Sequence, residues 1–168
     1  MSVSTYSGRC FCGQVRFELA GEPIFACHCH CESCRHAAGA AFVTWVSFPQ
    51  DGLIMKRGTI SEYRSSPGVQ RGHCSVCGTT LTYSWAKRSG EIDIALASLD
   101  EPTGIEPEAH IWVQDKVAWL VVNDPPPTTH PDLRRRILLA VPPEDCRHEF
   151  LEERPHVETL QPPCDGMR

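Results

Sequence analysis

Short stretches in which apolar residues alternate with polar ones recur along most of the chain. Residues 14–19 read QVRFEL, with an apolar residue at every second position, which is the period of a strand with one buried face. Residues 41–48, AFVTWVSF, are rich in β-branched and aromatic side chains and predict a more deeply buried strand. Further strands are predicted for TISEYRS from Thr59, TTLTYS from Thr79, EIDIALA from Glu91, AHIWV from Ala109 and AWLVV from Ala118. Clusters of Gly, Pro, Ser and Asp separate these segments, so the pattern predicts a mainly β protein.

Helical patterns are few, and most of them come late in the chain. One short early helix is predicted through RHAAG. At residues 123–131, NDPPPTTHP, three consecutive prolines can sustain neither a helix nor a central strand. Two short helices are predicted beyond this point, with Asp132 capping the first and Pro143 in the first turn of the second. We therefore expect one domain over residues 1–124 and a Pro-rich extension over residues 125–168.

Composition and charge narrow the classes of function. Hydrophobic residues make up 41% and charged residues 22% of the 168 positions, which is ordinary for a globular protein. The formal net charge of -5 argues against general binding of nucleic acids or anionic membranes. No apolar run approaches the ~18 residues of a transmembrane helix. The start of the chain lacks the pattern of a secretory leader, so we expect a cytoplasmic protein.

The ten cysteines are the most informative feature of the composition. In a reducing compartment such a count predicts metal ligands more readily than disulfides. Cysteines two residues apart also place their sulfur atoms poorly for bonding to each other. Eight of the ten lie in clusters, whereas Cys146 and Cys164 have no partner at ligand spacing and are expected to be unliganded thiols.

Two short motifs together supply the ligands of a structural metal site. CSVCGT contains Cys74 and Cys77 at the spacing of a zinc knuckle, followed by a glycine where the turn favours positive φ. CFCG contains Cys10 and Cys12 in a tighter version of the same motif. Because structural zinc takes four ligands in a tetrahedron, the two motifs predict one closed site.

The stretch CHCHCESC leaves several arrangements open. Cys29, Cys31 and Cys34 alone would hold a metal with its fourth position open, as in catalytic zinc. Cys27 could instead close the site with a fourth thiolate. A third arrangement makes two closed sites, from Cys31, Cys34, Cys74 and Cys77 and from Cys10, Cys12, Cys27 and Cys29. The alternation of histidines with cysteines would point the side chains of His28 and His30 away from the metal.

Four segments together resemble the glutathione-dependent formaldehyde-activating enzyme family, which also includes the centromere protein V type proteins. These segments are GRCFCGQVRFE, CHCESCRHAAGAAF, HCSVCGTTL and HIWVQDKVAWL. The resemblance spans residues 8–124 and depends on the order and spacing of seven cysteines; Cys27 is not one of the seven. It implies a β-rich, β-tent-like fold of small zinc-stabilised antiparallel sheets with two zinc ions, and we expect further short helices in the C-terminal extension.

The resemblance also implies a ligand set and a reaction. Cys10, Cys12, Cys74 and Cys77 match the ligands of the family's structural zinc, and Cys29, Cys31 and Cys34 match those of its catalytic zinc. The family's named activity joins glutathione and formaldehyde to S-(hydroxymethyl)glutathione, which is a carbon–sulfur lyase reaction in reverse. The implied partners are a small thiol and a small aldehyde. The alternative is a zinc-stabilised binding module with two closed four-cysteine sites and no catalysis.

A cation is expected beside the three-cysteine site. Three thiolates leave a zinc centre with net negative charge, and a positive side chain would restore some of its acidity. Arg35 follows Cys34 directly and is the first candidate for this catalytic role. The two carboxylates of glutathione would need further cationic partners. Four basic residues are available for this, although nothing in the sequence places them: Lys56, Arg57, Arg64 and Arg71.

Overall fold

The computed structural model describes residues 4–123 of the chain. The described part contains ten strands and one α-helix, together with short 3-10 turns. The elements are β1 (Thr5–Arg9), β2 (Arg16–Ala20), β3 (Phe25–Cys29), α1 (Glu32–Ala38), β4 (Val43–Pro49), β5 (Leu53–Arg57), β6 (Ser61–Ser66), β7 (Val69–His73), β8 (Thr80–Trp85), β9 (Glu91–Ala95) and β10 (Ala109–Ile111). The predicted mainly β fold is confirmed.

The strands form two open sheets. The smaller has the order β1-β2-β5, and the larger, seven-stranded sheet has the order β10-β3-β4-β9-β8-β7-β6. Neighbouring strands are antiparallel except for β10, which runs parallel to β3. The larger sheet is therefore mixed, because β10 returns to the edge of β3 through a long connection and not through a hairpin.

The larger sheet separates two hydrophobic cores. Successive side chains of a strand point to opposite faces, so strand β4 contributes to both cores. Its residues Val46 and Phe48 pack in a core with Phe17 and Leu19 of the smaller sheet. Trp45 belongs to the second core, which contains the cysteines of β3 and α1. The first core joins the two sheets, and the second surrounds the cysteine-rich stretch.

Most predicted elements correspond to observed ones. Strands β2, β4, β6, β8, β9 and β10 overlap their predicted segments, and α1 covers the predicted helix. The strand predicted for AWLVV is wrong, because Ala118 and Trp119 form a turn closed by a bond from the Leu120 amide to the Val117 carbonyl (3.1 Å). Among residues 4–123 this segment pairs with no strand, and Trp119 is 74% exposed. An apolar run without a partner edge does not make a strand.

Four strands were not anticipated: β1, β3, β5 and β7. Their sequences are short and interrupted by glycine, cysteine or charged residues, so the period of two is weak. The helices and thiols predicted beyond residue 123 lie outside the described residues. Within the described range, no helix is long and apolar enough to cross a membrane.

Candidate metal centres and the adjoining cavity

The first group of thiols lies where two turns meet. Cys10 and Cys12 are in the turn between β1 and β2, and Cys74 and Cys77 are in the turn between β7 and β8. The four Sγ atoms lie within 4.8 Å of one another. Gly78 ends the second turn with φ of 73°, a conformation that costs glycine little. The two turns belong to different sheets, so this group joins the sheets.

The spacing of these sulfur atoms fits a tetrahedral metal. Two Sγ–Sγ distances are 3.5 Å, between Cys10 and Cys12, and 3.8 Å, between Cys12 and Cys74. A tetrahedron with metal–sulfur bonds of about 2.3 Å has sulfur–sulfur edges of about 3.8 Å. The Val15 amide donates to the Cys10 sulfur at 3.3 Å. Such donors favour the thiolate form that a metal requires.

Thr79 acts on the same group through its side chain and its backbone. Its Oγ1 lies 3.1 Å from the Cys77 sulfur. Hydrogen bonds from the Thr79 hydroxyl and then from its amide lower the pKa of Cys77 to about 5. Cys77 is therefore ready to bind a metal as a thiolate at neutral pH.

The second group of thiols lies between β3 and α1, at the other core. The Sγ atoms of Cys29, Cys31 and Cys34 lie within 4.8 Å of one another, and all three residues are buried. Cys29 ends β3, and Cys31 is the N-cap residue of α1. The sulfur of Cys31 accepts a hydrogen bond from the Cys34 amide at 3.3 Å. This capping bond holds the Cys31 sulfur at the first turn of α1, beside Cys34.

Arg71 is the cation that contacts this second group. Its Nη1 and Nη2 donate to the Cys34 sulfur at 3.6 and 3.7 Å, and its Nε donates to the Ser65 hydroxyl at 3.1 Å. The guanidinium lies 5.0 Å from the centre of the Tyr83 ring. Burial opposes the charged form, but the charge of Cys34 raises the pKa of Arg71 above its ordinary value. Arg71 is 4% exposed, so this charge acts in a region largely shielded from water.

The crowded thiols need more positive charge than the protein supplies. Contacts with Cys31 and Cys34, followed by burial, raise the pKa of Cys29. Three neighbouring thiolates repel one another, and Arg71 compensates only one negative charge. A divalent cation would balance the remaining two, so the group fits a metal ion. Both thiol groups could therefore hold metal ions.

Cys27 lies outside both groups. It is on β3, two residues before Cys29, and its side chain is buried. Burial, followed by the negative charge of Asp93, raises the pKa of Cys27, so its thiol is neutral at physiological pH. Among the described residues, the thiols group as Cys10, Cys12, Cys74 and Cys77 and as Cys29, Cys31 and Cys34.

A narrow cavity opens beside the second group. It leaves about 30 Å³ in which the centre of a water-sized molecule can move. That space accommodates one or two small molecules of this size. The lining consists of aromatic residues, the cysteines and a few buried polar side chains: Phe25, Cys27, Cys29, Cys31, Cys34, Trp45, Ser47, Arg71, Tyr83, Arg88, Asp93, Ile111 and Trp112.

One cross-strand row of the larger sheet forms a wall of this cavity. Its members are register partners on successive strands, from β7 through β8, β9 and β4 to β3: Arg71, Tyr83, Asp93, Ser47 and Phe25. Directly paired residues lie about 4.5–5.5 Å apart at Cβ. The row therefore connects Arg71, which lies beside the cysteines, to the polar residues Asp93 and Ser47 farther along the wall.

Residues 5–115 match the family described as glutathione-dependent formaldehyde-activating enzyme. The chain belongs to this family. A similar protein of Schizosaccharomyces pombe, named an uncharacterized lyase, is 28% identical over 112 residues, which cover 66% of this chain and 80% of that protein. A crystal structure of a Rhodobacter sphaeroides protein has a TM-score of 0.50 and 22% identity, covering 62% of this chain and 98% of that one. At this identity the second likeness supports the fold alone.

In this formaldehyde-activating family member, the histidines of the cysteine-rich stretch point away from the thiols. His28 Nδ1 lies 2.8 Å from the Thr44 hydroxyl, and His30 Nε2 lies 2.8 Å from His110 Nδ1. Burial and then the charge of His110 lower the pKa of His30 to about 4. Arg35 donates from Nε to the carbonyl oxygen of His30 at 3.2 Å, and a catalytic role for Arg35 stays a prediction.

Trp112 lies in the family's later motif and lines the cavity. Its φ of 58° and ψ of 39° are in the left-handed region, which is uncommon for a bulky residue. Such conformations cluster where a side chain has a functional position. No sequence pattern predicts this backbone conformation, because tryptophan shows no local preference for it.

Sequence reasoning missed the polar residues of the cavity wall. Asp93 and Ser47 occupy alternate positions that resemble the solvent side of an amphipathic strand, yet they are 6% and 3% exposed. Arg88 is 9% exposed and belongs to a short 3-10 turn after β8. A charged residue flanked by two isoleucines in IDI was the one available signal for Asp93.

Proposed function

We propose that the protein is a zinc-dependent carbon–sulfur lyase of the S-(hydroxymethyl)glutathione synthase type. In the synthetic direction it adds glutathione, or a similar small thiol, to formaldehyde or a related small electrophile. Cys10, Cys12, Cys74 and Cys77 hold a structural zinc, and Cys29, Cys31 and Cys34 hold a catalytic one. The observation that carries the proposal is a buried three-thiol group that lines a cavity of water-like dimensions.

The size and charge of the site support this substrate class. Space of about 30 Å³ for a small molecule's centre favours a one-carbon aldehyde over a larger electrophile. Thiolate-rich donor sets select zinc among the common divalent metals, and three protein ligands are the pattern of catalytic zinc. Three thiolates, one divalent metal and the Arg71 guanidinium together carry no net charge. A neutral carbonyl compound fits such surroundings.

The residues of the site have distinct tasks. Zinc bound by the three cysteines would supply Lewis acidity and lower the pKa of a substrate thiol. The Cys34 amide fixes the sulfur of Cys31. Arg71 fixes the sulfur of Cys34 and reduces its negative charge. The aromatic wall excludes bulk water, so that few water molecules compete with the thiol for the aldehyde.

The test is a glutathione titration of the cobalt-substituted protein, followed by addition of formaldehyde. A thiolate that joins the metal changes the sulfur-to-metal absorption band, and exchange spectroscopy then measures formation of the hydroxymethyl adduct. We expect both a spectral change and faster adduct formation. Cys27→Ser is expected to retain both metals and the activity, whereas Cys31→Ser is expected to lose the second metal.

The outcomes separate the enzyme from its alternative. Four protein sulfurs on each metal and no spectral change with any thiol would contradict the proposal and leave a zinc-stabilised binding module. A spectral change without faster adduct formation would retain thiol binding and assign the chemistry to another electrophile.

A further inference from the structure

Opposite the cysteines, the cavity contains a polar network that the reaction outlined above does not use. Ser47 donates from Oγ to Asp93 Oδ1 at 2.5 Å. Arg88 donates from Nη2 to Asp93 Oδ2 and from Nη1 to Glu91 at 3.4 Å. Ser47, Asp93 and Arg88 are all buried and line the cavity that the three cysteines also line. A buried ion pair of this kind costs desolvation energy, so its place in the wall calls for an explanation.

One donor in this network is left over. The Nε atom of Arg88 is buried and makes no hydrogen bond within the described part of the chain. Both Nη atoms already donate to carboxylates, on Asp93 and Glu91. The guanidinium plane is therefore held in place while its remaining N–H stays available. Buried donors without partners are rare in folded proteins, and a catalytic role is one of the explanations for such a donor.

We propose that the Nε–H of Arg88 binds the carbonyl oxygen of the small electrophile and stabilises the oxygen anion that forms during thiol addition. Asp93 and Ser47 are positioning residues that fix the guanidinium. This inference rests on the proposed function, and it adds the residue that stabilises the oxygen anion of the substrate. Arg71 and Arg88 thus have different roles. Arg71 contacts the cysteine cluster, and Arg88 contacts the substrate oxygen.

The chemistry of the step balances without a further reactant. The thiol loses its proton to solvent, and an electron pair on its sulfur forms the new carbon–sulfur bond. The carbonyl π bond breaks and its electron pair moves to oxygen. The oxygen then takes one proton from solvent, which gives the hydroxymethyl thioether. Arg88 keeps its own proton throughout, because the guanidinium is protonated at all relevant pH values, so it acts only as a hydrogen-bond donor.

The geometry of the sheet supports different roles for Arg71 and Arg88. Asp93 is the register partner of Ser47 on one side and of Tyr83 on the other, and Tyr83 is the partner of Arg71. The Tyr83 ring lies 5.0 Å from the Arg71 guanidinium and 6.0 Å from that of Arg88. The two cations therefore both lie near one aromatic ring that lines the cavity. A carbonyl group between them would present its carbon to the cysteine side and its oxygen to Arg88.

The first experiment compares Arg88→Lys with the wild-type zinc protein. Lysine retains the positive charge beside Asp93 but lacks the Nε–H. Loss of one preorganised donor to a developing oxygen anion lowers kcat by about 100-fold. We expect that drop in adduct formation, an equal drop in kcat/KM, and an unchanged glutathione midpoint in the cobalt spectrum. The matched control is Arg9→Lys, in the exposed pair that Arg9 Nε makes with Asp100 at 3.1 Å, and it should leave every value unchanged.

A second variant and a direct readout cover the case in which Arg88→Lys does not fold. Ser47→Ala leaves both charges of the buried pair in place and removes only the bond that orients Asp93. It should lower kcat by less than Arg88→Lys does, with the glutathione midpoint unchanged. In wild-type protein labelled with ¹⁵N at arginine Nε, the Arg88 resonance, assigned through its side-chain connectivity, should shift when formaldehyde joins the glutathione-bound protein.

Each outcome decides the inference. A folded Arg88→Lys or Ser47→Ala protein with wild-type kcat, or an Arg88 resonance that formaldehyde leaves in place, overturns the role of Arg88 and leaves the proposed function intact. Wild-type protein that neither binds glutathione nor accelerates adduct formation overturns the proposed function, and this inference with it. A selective loss of kcat together with the resonance shift supports both.

Discussion

At the scale of single residues, Arg71 links the chemistry of the site to the sheet. Its guanidinium donates to the Cys34 sulfur with two nitrogen atoms, and Tyr83 and Ser65 hold it in place. A cation in contact with a metal-binding thiolate orients the ligand and reduces its charge. Replacing a partner of this kind typically weakens metal binding by about 10–100-fold.

Arg71→Met should weaken the second metal selectively. Removing the guanidinium leaves the excess negative charge of a buried three-thiolate centre uncompensated, and we expect metal affinity there to fall by about 10–100-fold. Competition with a chromophoric chelator measures the affinity of each of the two metals. Arg64→Met, on the exposed side of β6, is the matched control and should leave both affinities unchanged. Equal affinities in Arg71→Met and wild type would show that Arg71 only fills space.

At the scale of elements, the two cysteine turns bring the two sheets into contact. The turn with Cys10 joins β1 to β2 in the smaller sheet, and the turn with Cys74 joins β7 to β8 in the larger one. The Phe11 amide also donates to the Thr79 hydroxyl across the two turns at 3.1 Å. A metal bound here would tie together elements that are far apart in the chain.

Cys74→Ser and Cys29→Ser should therefore differ in their effect on folding. A structural zinc contributes roughly 10 kcal/mol or more of apparent free energy to folding, so Cys74→Ser should give insoluble or molten protein. Cys29→Ser removes a ligand from a group that lies within one core, and this protein should remain folded. Thermal unfolding followed by circular dichroism makes the comparison. The same melting temperature for both variants would contradict this division between a structural and a catalytic site.

Strand β7 also depends on one close contact, at Gly72. A Cβ atom at Gly72 would lie 2.0 Å from the Thr82 Oγ1 and 2.5 Å from the Ile60 Cγ2. Gly72→Ala should therefore destabilise the protein by about 1–3 kcal/mol, as overpacking does elsewhere, and displace the neighbouring Arg71. Chemical denaturation measures the change. Gly104→Ala is the control, because its Cβ would meet nothing within 4 Å, and a comparable loss there would contradict the steric explanation.

At the scale of the whole molecule, one seven-stranded sheet separates two tasks. The core on one face contains Cys10 and Cys74 and joins the smaller sheet to the larger. The core on the other face contains Cys29, Cys31 and Cys34 and the cavity. This arrangement places the two thiol groups on opposite faces of the sheet, so a change on one face can leave the other intact.

The division into residues 1–124 and 125–168 leads to a prediction about the whole chain. The family match ends at residue 115, and the last strand among the described residues ends at residue 111. A chain cut after Pro131 should therefore fold cooperatively and bind both metals. Unfolding in denaturant and metal content per chain measure this. Loss of a single cooperative transition would show that the segment RRRILLAV belongs to the core.

Sequence by itself determined the features that depend on near neighbours. The spacing of the cysteines, the period of two in β2, β4 and β9, and the helix predicted at RHAAG all arise from a few consecutive residues. Ligand spacing and side-chain alternation are short-range properties, so they can be read without the fold. The same reasoning placed the histidines on the face opposite the cysteines.

Only the tertiary structure decided which distant residues meet. Arg71 on β7 reaches Cys34 on α1 across 37 positions because the fold packs the helix beside this strand, and Ser47 reaches Asp93 across 46 because the register of β4 and β9 pairs them. Arg35, adjacent to the cysteines in sequence, instead binds the carbonyl of His30. A one-residue change of register would move these side chains to the opposite face, and no local pattern fixes that register. The cavity and its two cations exist because of pairing between strands that the sequence alone does not order.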